Sequence, residues 1–508
     1  MRAFFQRIII AIVSFLQMLG FSGPALDKWT ARPSLPAEPV SIEITVDRDA
    51  RFQTVNGFGS SACWWAQDMG FAAAAEETAR LLYSDDGLAL NIYRYNVGAG
   101  EKDNPNTRIW GNRATESFYR FNGEKGRYEY DFTRDAAAQH MLDLCLSYGN
   151  IDTVVLFANS PHFSMTVSGQ ATGGKKSYVS NLRADCYEAF ADYMVTIARH
   201  FIEKGVPVKY ISPVNEPQWE WGGKWVGQEG CHYEFSEVFA LMKVFAAKIK
   251  QSGLEVKLMA PESGELGDGT VDWFRQLCAD PDIAEALGSL SYHSYWNDGN
   301  QYKKYAFGQT LNSESFPYPV DMTEWSELPL EHSSNDFTGA VIQARIISQD
   351  LVLSGANSWS AWLGVNNYSE KNGAKWSDAL LMMTGDASEV FVCDRYYTLA
   401  HFSKFIPSGS VRIAAGPGED LCYFTDDAGS FAYPDYDVSA FETPDGKIVI
   451  VLVNAGGEKH FFLNDLPSGG GIDVYQSTAD YKLKNIYSGP AEDYITAPAN
   501  SVTTIEWE

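Results

Sequence analysis

Two glutamates stand where a pair of carboxylates could act on one substrate. Glu216 ends the run VKYISPVNE and precedes Pro217, which lacks the amide hydrogen that further strand pairing needs. Glu324 holds the same place in YPVDMTEW, just before Trp325. A glutamate at a strand end is usually only solvated, and the chain carries 65 acidic residues, so neither means much alone. Together, in Asn-Glu-Pro and Thr-Glu-Trp settings, they have the form that glycosidic cleavage requires: one carboxyl protonates the departing oxygen while the other attacks the anomeric carbon. Three rivals rank below them. Glu220 and Glu327 fall beyond the ends of their runs, and Glu262 ends a different one.

Such residues must be presented together at one end of a strand array. Eight apolar runs ending in small or polar residues recur, at 55–61, 88–98, 151–160, 208–216, 256–262, 290–296, 318–325 and 356–364. Between them, 72–83, 136–148, 185–204, 234–251, 270–279 and 339–354 each carry an apolar stripe at helical spacing. Strands alternating with helices in this number predict an α/β fold, a (β/α)8 TIM barrel, whose chemistry sits at the C-terminal strand ends. An open doubly wound sheet is the competing layout, but it wants a phosphate-binding GxGxxG, and GFGSS (57–61) is not one. The polar and aromatic residues at the predicted ends are Arg94 and Asn96, Asn159 and Ser160, Asn215, His293 and Tyr295, Trp325, and Trp359 with Trp362.

From about Phe405 the helical period gives way to short alternating strands with turns such as Pro444-Asp445-Gly446, which predicts a C-terminal side β-sandwich over 405–508. A strand within 41–53, clearest in SIEITVD, has no helical partner and is expected to complete it, leaving 54–404 as the barrel. At the N-terminus, Arg2 and Arg7 precede an apolar run from Ile8 to about Phe21, too short for a comfortable span and right for a signal peptide, 1–25, followed by a linker, 26–40. Export to the extracellular space is the expectation, with an uncleaved N-terminal anchor as its alternative and no other membrane segment.

A net charge of -26 disfavours nucleic acid, whose binding draws on Lys and Arg, and equally disfavours a polyanionic glycan. The 14 Trp, 27 Tyr and 29 Phe suit sugar faces, which stack on aromatic rings, although a large core also uses them. Seven scattered cysteines without a CxxC pair give no zinc or redox site, and the odd number leaves at least one thiol free.

The stretches VNGFGSSACWWAQDMG, LNIYRYNVGAG, ANSPHFSMTVSG, ISPVNEPQWEW, QEGCHYE, YHSYW, MTEWSE and YYTLAHFSKFIPSGSVRI resemble glycoside hydrolase family 30 along nearly the whole mature chain. Within it, ACWWA, NIYRYNVGAG and QEGCHYE resemble the endo-β-1,6-galactanase group. One departure is His162-Phe163-Ser164, where that group has bulky aromatics after the third-strand Asn-Ser-Pro. The resemblance implies a retaining hydrolase of β-linked neutral glycans, with Glu216 as acid/base and Glu324 as nucleophile, acting on an oligo- or polysaccharide without metal or cofactor. Arg94 would pair with Glu324 and Asn215 would bond the sugar 2-hydroxyl. Tyr295 would orient the nucleophile, His293 would bind a hydroxyl, and Asn159, Trp65, Trp325 and Trp362 would contact substrate. Alternatives are another family specificity (β-glucosylceramidase, β-1,6-glucanase or xylanase) and a carbohydrate-binding protein without catalysis.

Overall fold

A computed structural model describes residues 39–109, 111–223, 227–297, 300–328, 331–367, 378–416, 434–465 and 470–508, together with the backbone of the short strands Phe424–Thr425 and Phe431–Ala432. The expected signal peptide and nearly all of the linker lie outside the described residues, as does Cys422; the other six cysteines are free thiols.

Eight parallel strands close into a barrel. In barrel order they are Gly57–Ser61, Ile92–Asn96, Thr153–Phe157, Val208–Ser212, Lys257–Ser263, Leu287–His293, Val320–Trp325 and Ser358–Ala361, the last pairing back onto the first. The barrel strands are almost wholly buried on both faces, which is why they read as apolar runs rather than alternating ones. Helices Ala75–Tyr83, Ala136–Leu146, Tyr187–Glu203, Phe235–Ser252, Asp268–Ala279 and Phe337–Val352 pack around them.

Three departures from the sequence expectation have local causes. The fourth strand stops at Ser212 because Pro213 cannot donate to the ladder, so Asn215 and Glu216 sit on the following loop. The run 356–364 is two strands: Ser358–Ala361 in the barrel, and Leu363–Asn367 in a separate three-stranded sheet with Ala379–Met383 and Val390–Val392. Helix Gln301–Glu314 has no clear apolar stripe to read in its sequence, yet it buries Phe307 and Leu311.

The C-terminal strands form one nine-stranded sheet that Val40–Thr54 enters between Val411–Gly416 and Lys459–Asn464. Ile448–Asn454 is buried along its whole length, with its faces divided: Ile448, Ile450 and Leu452 fill the sandwich core, while Val449, Val451 and Val453 join the barrel's core. Arg345 Nε donates to Asp437 Oδ2 at 2.6 Å, and both ring nitrogens of His401 meet hydroxyls of the sandwich, Thr504 and Ser477, at 2.8 Å. The sandwich therefore braces one flank of the barrel through the helices Phe337–Val352 and Asp394–Ser403. No helix among the described residues is long and apolar enough to cross a membrane.

Candidate active site

At the C-terminal mouth of the barrel, three glutamates and two cations converge from four strands and the loop after the fourth. Arg94, on the second strand, is fully buried and lies with its guanidinium 4.4 Å from the centre of the Phe157 ring. Its Nη1 donates to Glu324 Oε2 at 3.3 Å and its Nη2 to Glu262 Oε1 at 3.4 Å. His293, at the end of the sixth strand, places Nδ1 3.2 Å from Glu216 Oε1 and Nε2 3.1 Å from Glu262 Oε2. Tyr295 donates its hydroxyl to Glu324 Oε1 at 2.9 Å. One oxygen each of Glu216 and Glu324 and one ring nitrogen of His293 lie within 4.8 Å of one another.

Glu262 anchors this array from below. It receives Ser212 Oγ at 3.0 Å and the Thr323 hydroxyl, in addition to Arg94 and His293. Burial opposes its charge, but Arg94, His293 and Thr323 outweigh burial and bring the carboxyl down to about 2. His293 has the converse setting. Burial opposes its charge too, yet Glu324, Glu216 and Glu262 around the ring raise it to about 10. A glutamate oxygen lies within hydrogen-bond reach of each ring nitrogen, so the protonated ring would donate from both. His293 is thus committed to glutamates rather than to a sugar hydroxyl. For Glu324, burial pushes the carboxyl up, Glu216 adds to the push, and His293, Arg94 and the Tyr295 hydroxyl pull against it, leaving it above the ordinary range.

Above the glutamates opens a cavity of about 160 Å3 lined by Asn215, Glu216, Trp219, Trp221, Gln228, Tyr295, Trp296, Glu324, Leu328 and Trp362. Asn215 is nearly buried and its Oδ1 has no partner among the described residues. Trp362 sits edge-on to Trp64, centroids 5.5 Å apart, with its amide bonded to the Trp325 carbonyl at 2.9 Å. Two rings expected at the substrate are elsewhere. Trp325 is buried with its ring 6.2 Å from that of Trp359, and it does not line the cavity. Trp65 begins a helix after the first strand and buries its indole, which donates to the Ser61 carbonyl at 2.8 Å. Asn159 is buried beside the array and donates to Cys63 Sγ at 3.3 Å.

The stretch QEGCHYE divides its work. Gln228 lines the cavity, and Glu229 is buried, receiving Thr115 Oγ1 at 2.5 Å and the Ala99 amide at 3.2 Å, so it ties two loops together. Burial raises its carboxyl to about 8. Glu234 and Glu237 form a capping box that starts the helix Phe235–Ser252. His162 is packed against Tyr119 rather than presented to the cavity, and burial lowers it to about 3. Sequence reasoning passed over Trp296 and the anchoring part of Glu262. An aromatic closing the sixth apolar run, 290–296, was a signal for the first, whereas nothing local marks the second.

Residues 40–271 match the profile described as "O-Glycosyl hydrolase family 30", and residues 409–505 that of "Glycosyl hydrolase family 30 beta sandwich domain". An endo-β-1,6-galactanase from Hypocrea rufa is 21% identical over 484 residues, 87% of this chain and 90% of its own. A putative glucosylceramidase 2 from Caenorhabditis elegans is 22% identical, across 86% of this chain and 81% of its own. The crystal structure of a conserved exported protein from Bacteroides fragilis has the same fold, with a TM-score of 0.77 at 23% identity, covering 91% of this chain and 99% of that one. With the first five barrel strands and the sandwich matching two models of one family, and relatives of that family covering most of the chain, the chain belongs to glycoside hydrolase family 30 and is an O-glycoside hydrolase.

Proposed function

We propose that the protein is an exported, retaining endo-β-1,6-galactanase, with Glu324 as nucleophile and Glu216 as acid/base. The observation that carries the mechanism is the short span between the two carboxylates, within 4.8 Å at their nearest ligand atoms. Retaining enzymes hold their carboxyls about 5–5.5 Å apart, whereas inverting ones leave about 6.5–9.5 Å for a water. Glu324 is also the carboxylate held from three sides, by Arg94, Tyr295 and His293, which suits a group that must be ionised and aimed.

In the first step a Glu324 oxygen bonds to the anomeric carbon as the glycosidic C–O bond breaks, and Glu216 gives its proton to the departing oxygen. In the second, Glu216 takes a proton from water, the water oxygen bonds to the anomeric carbon, and the ester to Glu324 breaks. Asn215 lines the cavity, where its side-chain amide can hydrogen-bond the 2-hydroxyl of the bound sugar. Trp362 offers it an apolar wall. The Hypocrea rufa relative supports β-1,6-galactan as substrate, and the net charge of -26 supports a neutral glycan. Export rests on the basic and then apolar N-terminus.

The test is hydrolysis of β-1,6-galactan, β-1,6-glucan, xylan and an aryl β-glucoside, with Glu216→Gln as control. The glucoside is included because of the glucosylceramidase-like relative. Galactan cleaved to short oligomers, and not by the variant, is the expected result. Cleavage of another substrate alone moves the specificity and keeps the mechanism. Inverted anomeric configuration, seen by NMR early in the reaction, overturns the mechanism.

A further inference from the structure

Trp219 and Trp296 stack on one another to build an aromatic wall on the cavity, beside Glu216. Both line the same cavity as Glu216 and Glu324. Their rings are parallel to within 8°, centroids 6.3 Å apart, and they stay 47% and 55% exposed. Two half-exposed tryptophans stacked in a cleft form the kind of apolar patch that marks a binding surface. The backbone under them is fixed. The Glu216 carbonyl accepts from the Trp219 amide at 2.9 Å and from the Trp221 indole at 3.2 Å. Gly230 leaves room for that indole, since a Cβ there would lie 2.4 Å from its ring. Trp296 is held in left-handed backbone, φ 63°, next to Asn297, whose side chain donates to the Tyr295 carbonyl at 2.5 Å.

We propose that this wall is the leaving-group subsite, taking the sugar that departs in the first step. The inference rests on the reading of Glu216 as acid: the departing oxygen receives its proton there, so the departing sugar lies on the Glu216 side. The wall is tied to that residue's own carbonyl. The ligand it fits is a pyranose with one apolar face. A galactose residue has such a face, because its axial 4-hydroxyl leaves the C–H bonds of C3, C4 and C5 together on the other side, and these stack on an indole.

The experiment compares two substrates in wild type, Trp219→Ala and Trp296→Ala. One is an oligosaccharide whose leaving group is a sugar. The other is the β-glycosyl fluoride of the same sugar, whose leaving group is too small to reach the wall. The ratio of kcat/KM for oligosaccharide over fluoride is expected to fall on the order of tenfold in each variant, the worth of one aromatic stacking contact. Transfer of the glycosyl group to an added acceptor sugar is expected to fall in step, because the acceptor occupies the same subsite, and Trp→Phe is expected to restore part of both. An unchanged ratio, or undiminished transfer, overturns the proposal. The fluoride series follows whichever sugar the wild type cleaves. If that sugar is glucose, the galactan reading fails while the ratio still decides the subsite.

Discussion

Replacing Tyr295 by Phe removes a donor from Glu324 and keeps the ring, which makes its consequence calculable. The hydroxyl donates to Glu324 Oε1 at 2.9 Å, opposite Arg94 on Oε2 at 3.3 Å. Burial already pushes the Glu324 carboxyl up, and this hydroxyl is one of the groups pulling against it. A hydrogen bond to a charged group contributes about 1.5–3 kcal/mol net, and about 1.4 kcal/mol corresponds to one pKa unit. The donor favours the ionised form, so its loss raises the carboxyl by roughly 1–2 units. Because the nucleophile acts ionised, activity disappears from the acid side. The acid limb of kcat/KM is expected to move up by roughly 1–2 pH units in Tyr295→Phe, with a much smaller loss at pH above both limbs. The assay is a pH profile of kcat/KM for both proteins on one substrate. An acid limb that stays in place or moves down refutes the reasoning. A uniform fall at every pH also refutes it, and would mean that the hydroxyl touches substrate instead of holding the nucleophile.

Three further outcomes follow from the same geometry. Glu324→Gly is expected to lose hydrolysis and to regain turnover with azide, giving the glycosyl azide of inverted configuration, and full activity without azide would exclude Glu324 as nucleophile. Glu262→Gln leaves the buried cations Arg94 and His293 short of one carboxylate, and removing one partner of a buried ion pair costs about 3–5 kcal/mol. Urea unfolding should show a loss of that order, and a loss under about 1 kcal/mol would mean the array is not held by that charge. The third outcome concerns His401 between barrel and sandwich, which burial lowers to about 3, while an unfolded histidine titrates near 6.5. Between those values the unfolded chain binds a proton that the folded one refuses, so this stability is present above pH ~6.5 and falls with pH by up to about 1.4 kcal/mol per unit. Unfolding midpoints from pH 7 to 4 should fall less steeply in His401→Gln, and equal slopes would count against this residue.

The barrel was legible because its signals are local. Each strand is buried on both faces and each main helix on one, so apolar runs and 3.6-residue stripes recur in a fixed alternation. The sandwich was legible for the same reason, with period two in place of 3.6. What misled were two local features that the apolar pattern does not mark: Pro213 ending the fourth strand early, and helix Gln301–Glu314 without an apolar stripe to betray it.

The candidate site divides along the same line. The sequence by itself determined which residue types stand at the strand ends, Arg94, Asn215, Glu216, His293, Tyr295 and Glu324 among them, because strand and loop limits follow from nearest-neighbour chemistry. Only the tertiary structure decided which of them meet. Barrel closure brings Glu262 under Arg94 and His293, and turns a glutamate indistinguishable in sequence from its rivals into the anchor of two cations. Packing buries Trp325 against Trp359, whereas Glu324 beside it lines the cavity. Loop folding stacks Trp219 and Trp296 on one another from the loops after two different strands. Spacing along the chain carries no distance between strands, and that distance governs the charge balance at the glutamates and the shape of the cleft above them.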